Sequence, residues 1–233
     1  MDAVPGYVSV IFLVTAFLAV WFLLQAAKSV GLQTLPSKIL LFFLPLWIIF
    51  QCVLSIGGFY QNTDTMPPRL FVFGILPPLL LNLTFLVFFR PGFVEKLPLQ
   101  LLTLLHVVRI PVELVLYWLF LGAMVPRAMT FAGWNYDILT GILSLLVYMT
   151  AFRGSNANRA ILIAFNLIGL VLLLIVVSIA ALSVPSPIQQ FAFEQPNRAV
   201  LTFPYSLLPT IVVPIVLFAH LASLWKLFPR RTK

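Results

Sequence analysis

Apolar residues run along this chain in long blocks, and the short segments between them hold nearly all of the charge. A helix crossing a bilayer needs about 20 predominantly apolar residues. Blocks that meet this requirement fall at roughly 7–28, 38–60, 69–90, 97–123, 135–152, 160–183 and 204–227, so hydropathy predicts seven transmembrane helices. Asp137, at the start of the fifth block, makes that block the weakest of the seven.

One block carries a polar stripe. His106, Arg109, Glu113 and Tyr117 lie within about 80° of one helical face when successive residues are turned by ~100°. A charge at the centre of a membrane helix costs roughly 2.5–3.5 kcal/mol on an insertion scale, so the stripe is expected to face the protein interior. Pro111 sits among these residues and has no N–H for the carbonyl of Val107, which predicts a kink or an opened turn just before it. Pro45, Pro77, Pro78, Pro209 and Pro214 also fall inside predicted spans. Such breaks splay helices and leave room for a cavity, and each freed carbonyl must be met by protein or water. The proline pairs of the third and seventh blocks fit a 3+1+3 arrangement of repeats, although Pro45 in the second block has no counterpart in the sixth.

Composition fixes the class. The 233 residues are 62% hydrophobic and 9% charged, where soluble domains are about a quarter charged. The expectation is an all-α polytopic membrane protein, with 1–233 as a single seven-helix domain and no appended soluble domain. The net charge of +8 would point to nucleic acid in a soluble protein. Here the cations are dispersed by loop, so no nucleic-acid partner is expected.

Their distribution predicts orientation. Lys28, Lys38, Arg90, Lys96, Arg153, Arg159, Lys226, Arg230, Arg231 and Lys233 fall in one alternating set of segments, and Arg69, Arg127 and Arg198 in the other, ten against three. The N-terminus is therefore expected outside and the C-terminus in the cytoplasm, in a multi-pass protein of the bacterial inner (plasma) membrane. No Lys or Arg precedes Lys28, so the first block reads as a retained helix rather than a cleaved signal. Cys52 stands alone in an apolar run and reads as a packing residue. The basic tail reads as an anchor against anionic lipid.

Orientation converts position into depth. At ~1.5 Å per residue from the inner end of their span, His106 lies ~13 Å deep, Arg109 ~18 Å and Glu113 ~24 Å. His220 and Asn82 lie ~10 Å and ~12 Å from the inner ends of theirs. An inner tier thus contains Asn82, His106, Asn166 and His220, and a middle-to-outer tier contains Gln51, Arg109, Glu113, Tyr117 and Asp137. The run Gly133–Asp137 is expected to cap the fifth helix through Asn135 or Asp137, with a role beside Arg127 at an external cavity mouth as the alternative. The segment 184–203 is expected to lie along the membrane surface or to cap a cavity.

For Arg109 and Glu113, four residues apart, the plain structural reading is an internal ion pair. The functional reading makes the fourth helix the centre of a polar intramembrane cavity that binds, and translocates, a small polar or amphiphilic ligand with coupling to protons. Arg109 would hold an anionic group, Glu113 exchange a proton and His106 relay it inward, while Tyr117 and Gln51 orient the ligand. Asn82, His220, Arg127 and Asp137 are secondary candidates. Membrane lipids and a small molecule are the expected partners.

The main alternative is an intramembrane enzyme acting on a lipid or isoprenoid, with His106 and Glu113 as acid and base. Two further ones are a haem-binding electron carrier with His106 and His220 as axial ligands and an assembly subunit. No metal site and no cofactor are otherwise expected. Retinal is disfavoured because Val212–Leu217 holds no lysine for a Schiff base. No P-loop, His-Glu-x-x-His or Gly-x-Ser-x-Gly motif occurs, and resemblance to G-protein-coupled receptors does not go beyond helix number.

Overall fold

The computed structural model describes residues 4–154 and 157–228, and these are helical without a strand. Arg230, Arg231 and Lys233 of the charge analysis lie outside the described residues. Six helices are long and apolar enough to cross a membrane: Gly6–Val30 (α1), Leu35–Ile56 (α2), Phe71–Phe88, Leu99–Leu121, Arg159–Leu182 (α7) and Leu208–Leu227. The chain is thus a helical, multi-pass membrane protein.

Three of the six are broken, each near a proline. Leu99–Leu105 (α4) passes through a 3₁₀ turn at His106–Val108 into Arg109–Leu121 (α5), as Pro111 requires. Phe71–Ile75 forms a π-helical turn before Leu76–Phe88 (α3), and Leu208–Val212 forms another before Val213–Leu227 (α8). Such π turns mark places where the regular ladder is interrupted.

Two of the carbonyls that these prolines free are met by side chains from α2. Pro77 leaves the carbonyl of Phe73 without its helical donor, and Gln51 Nε2 donates to it at 2.9 Å. Pro214 does the same to Thr210, whose carbonyl accepts from Trp47 Nε1 at 3.0 Å. Asn82 Nδ2 donates to the carbonyl of Pro214 at 2.8 Å, tying α3 to α8. Gly74 lets the two π turns touch, since a Cβ there would lie 2.7 Å from Thr210 Cγ2.

The last helix is the axis of the bundle. In its most apolar 18-residue window 61% of the residues are buried, against 22% in those of the α2 and Phe71–Phe88 helices at the periphery. It packs on α7, α3, α4 and α1, while α1 also packs along α4 and α5.

The fifth hydrophobic block differs most from expectation. Its helix, α6, covers only Ile138–Ala151, 14 residues, or ~21 Å of rise. The preceding segment is folded into the bundle instead of continuing the helix: Met129, Thr130, Asn135 and Asp137 are all buried. Non-helical backbone at such depth is tolerated where protein covers it.

Candidate functional site

Arg109 begins α5, just after the 3₁₀ turn, and is 2% exposed. A buried guanidinium needs a charge partner and acceptors for its donors. Its Nη1 donates to Asp137 Oδ1 at 2.5 Å and to the carbonyl of Gly169 at 3.2 Å, and its Nη2 meets His220 Nε2 at 3.0 Å. The ring is held from behind, with Nδ1 2.9 Å from Asn166 Oδ1, while Asn166 Nδ2 donates to the carbonyl of Leu162. Residues from α7, α8 and the start of α6 thus close on one guanidinium of α5.

Two glycines make that approach possible. A Cβ on Gly169 would fall 2.5 Å from His220 Cε1 and 2.8 Å from Thr140 Cγ2. On Gly141 it would fall 2.7 Å from Ile110 Cγ1. These small positions in α7 and α6 let side chains and backbone of the polar cluster come within contact.

Glu113 sits one turn above Arg109, yet the ion pair of Arg109 is with Asp137. Glu113 Oε1 accepts from Asn135 Nδ2 at 2.6 Å, and the same amide nitrogen donates to the carbonyl of Met129. Asn135 Oδ1 in turn accepts from the backbone N–H of Asp137 at 2.9 Å. Asp137 occupies the N-cap position of α6 without capping it through its side chain. Its carboxylate is turned to Arg109 instead, because a buried charge gains more from its counter-ion than from a cap.

His106 is fully buried, and neither of its ring nitrogens has a hydrogen-bond partner. It lies face to face with His220, ring centroids 3.9 Å apart and planes 19° from parallel, with Phe165 edge-on to it at 5.5 Å. Stacked imidazoles in van der Waals contact leave no space for a porphyrin between them, so the bis-histidine haem arrangement does not fit. Among the described residues, no three His, Cys, Asp or Glu side chains form a group able to hold a metal ion.

A cavity of about 130 Å³ adjoins the cluster. Arg109, Glu113 and Asp137 form one wall; Val112, Leu116, Leu173, Val176, Val212 and Val216 are among the apolar residues of the others. The segment 184–203 caps it. Asn197 and Val200 line the cavity, and Gln195 Nε2 donates to the carbonyls of Phe120 and Val125 at 2.9 and 2.6 Å, fastening the cap to the end of α5.

The remaining candidates are elsewhere. Gln51 is committed to Phe73 and Tyr60. Tyr117 stacks on Phe131 at 4.9 Å. Arg127 is exposed and donates to Ala132 within its own turn, and Asn82 holds Pro214. Asn135, expected chiefly as a helix cap, belongs to the site, and so do Asn197 and Gly169, which were not candidates for it. The lone glycine at 169, within the apolar run of α7, was a visible signal for the last.

Residues 66–228 match the model of a family described as Domain of unknown function (DUF8737), and the chain belongs to that family. The matched region contains every residue of the polar cluster and of the cavity wall. No curated protein and no solved structure matches the chain.

Proposed function

We propose that this member of the family crosses the bacterial inner membrane seven times, N-terminus outside, and binds and translocates a small amphiphilic molecule in the cavity beside α5. The observation that carries the reading is a cavity with three ionisable residues and the amide of Asn197 in an otherwise apolar lining. Ligand pockets combine apolar lining with a few convergent polar groups in this way. Ionisable residues at membrane depth are by default candidates for a substrate or proton pathway.

Arg109 serves as the organising centre, since both of its amino groups are already engaged. Glu113 is the group that meets the ligand or exchanges a proton, having one oxygen without a partner. Lipid chemistry by His106 and Glu113 is the less favoured reading, because Glu113 lines the cavity and His106 does not. The seven crossings count α6 as a short span, and the orientation rests on the bias of Lys and Arg among the loops.

Two experiments test this reading. Native mass spectrometry of the protein extracted in mild detergent should show a bound small molecule that is lost on Leu116→Trp, a variant that fills the cavity. Equal occupancy in a folded Leu116→Trp protein would sink the binding site. In a Cys52→Ser background, Thr63→Cys should react with an impermeant maleimide in intact cells and Ala157→Cys only after permeabilisation. The opposite pattern would reverse the orientation.

A further inference from the structure

The wall of the α5 cavity includes two residues with unmatched acceptors. Glu113 Oε2 and Asn197 Oδ1 are buried without a hydrogen-bond partner, and both residues line the cavity. Glu113 is 1% exposed and Asn197 0%. The amide of Asn197 is oriented by its Nδ2, which donates to the carbonyl of Ala180 at 3.1 Å. Against these two acceptors, Arg109 retains two free donors, Nε–H and the second N–H of Nη2, its other three N–H groups being engaged.

Charge decides which kind of head they suit. The wall has one guanidinium and two carboxylates, and Asp137 already takes the guanidinium. A buried acceptor left unmatched is costly, and a buried carboxylate more so. An anionic head would meet a second carboxylate whose charge the guanidinium does not balance. An ammonium brings positive charge and three donors.

The cavity also has a side entrance. A second cavity of about 340 Å³ shares Leu70, Ile75, Ala181 and Val184 with the first. It lies between the start of the Phe71–Phe88 helix and the end of α7, two helices that flank it without packing closely on each other. Asn62, Thr63, Arg69 and Ser186 of the connecting segments complete its lining, and Phe71 and Ala181, both exposed, mark its opening.

We infer that the ligand is a cationic amphiphile, an alkylammonium, whose head is held at Glu113 Oε2 and Asn197 Oδ1 and whose chain leaves through the cleft between the Phe71–Phe88 helix and α7. The inference rests on the proposed binding function and specifies its ligand class.

The test uses three probes of one chain length, dodecylammonium, dodecanol and dodecanoate, added to the full-length protein in nanodiscs of neutral lipid. Binding is measured for the wild type, for Glu113→Gln and for Ala181→Phe, which obstructs the shared neck. Dodecylammonium should bind best, weaken about tenfold or more on Glu113→Gln, and weaken with the other probes on Ala181→Phe. Preference for dodecanoate, or indifference to Glu113→Gln, overturns the cationic ligand while leaving the amphiphile site standing. Equal binding of all three to wild type and Ala181→Phe overturns the site itself. Should Glu113→Gln fail to fold, a photoreactive dodecylammonium analogue on the wild type decides. Labelling of Val177 or Ala181 supports the cleft, and labelling confined to other helices refutes it.

Discussion

Gly169→Ala separates packing around the polar cluster from ordinary helix energetics, because the two predict opposite signs. Alanine is favoured over glycine within a helix by about 0.8–1.0 kcal/mol. If Gly169 were only a weak point of α7, the substitution would therefore stabilise the protein. The added methyl would lie 2.5 Å from His220 Cε1 and 2.8 Å from His220 Nε2. His220 cannot easily retreat, being held by Asn166 on one nitrogen and stacked on His106. Overpacking of this kind costs about 1–3 kcal/mol, and displacing the ring from Arg109 adds about 1–3 kcal/mol for a buried group left unmatched. The net expectation is a loss of about 3 kcal/mol. For a chain of this size that is a fall of roughly 6–12 °C in Tm, readable by tryptophan fluorescence in mild detergent. Gly6→Ala is the control, since a Cβ there meets nothing within 4 Å. A Gly169→Ala protein as stable as the wild type, or more so, would refute the claim that this glycine exists to admit the imidazole.

Three further expectations concern the same network and the helix breaks around it. Arg109→Gln and Asp137→Asn should each destabilise by about 3–5 kcal/mol, as breaking one side of a buried ion pair does. The double variant should cost clearly less than the two together, and simple additivity in a double-mutant cycle would argue against the pair. Gln51→Leu should cost about 1–3 kcal/mol by stranding the carbonyl of Phe73. In a Pro77→Ala background the penalty should shrink, because residue 77 then has an N–H of its own; an unchanged penalty in unfolding assays would count against this role for Gln51. Trp47→Phe should behave in the same way towards Pro214 and Thr210, with rescue by Pro214→Ala as the readout.

Local rules read from the chain located much of this. Spacing put His106, Arg109 and Glu113 on one face, and the missing N–H of Pro111 announced the break that now appears as the turn at His106–Val108. Chain position also identified Pro77 and Pro214 as places where carbonyls go free. What spacing does not contain is which neighbour comes to meet them, since that depends on the order of helices around the axis. Spacing alone therefore reads Gln51 as a ligand group, whereas its partners are Phe73 and Tyr60.

Depth reckoning puts Asp137 in one tier with Arg109, but the pairing itself lay beyond it for a related reason. The chain folds inward before α6 begins and delivers the carboxylate to Arg109. Asn197 was out of reach of helical periodicity altogether, because it comes from the connection that caps the cavity.

As the seventh span of the proposed topology, α6 at ~21 Å would be ~9 Å shorter than the hydrocarbon core, so the bilayer beside it would thin or the helix would shift. Hydrophobic mismatch costs fractions of a kcal/mol per Å, or a few kcal/mol over that difference. The first residues of α6 follow directly on Asp137, so tension from a thick membrane would fall on the Arg109 ion pair. Reconstitution in lipids of increasing acyl length should lower thermal stability progressively, and more steeply than for Asp137→Asn, whose ion pair is already broken. Lipid thickness would then set the firmness of the polar cluster, making α6 a gauge of the membrane around it.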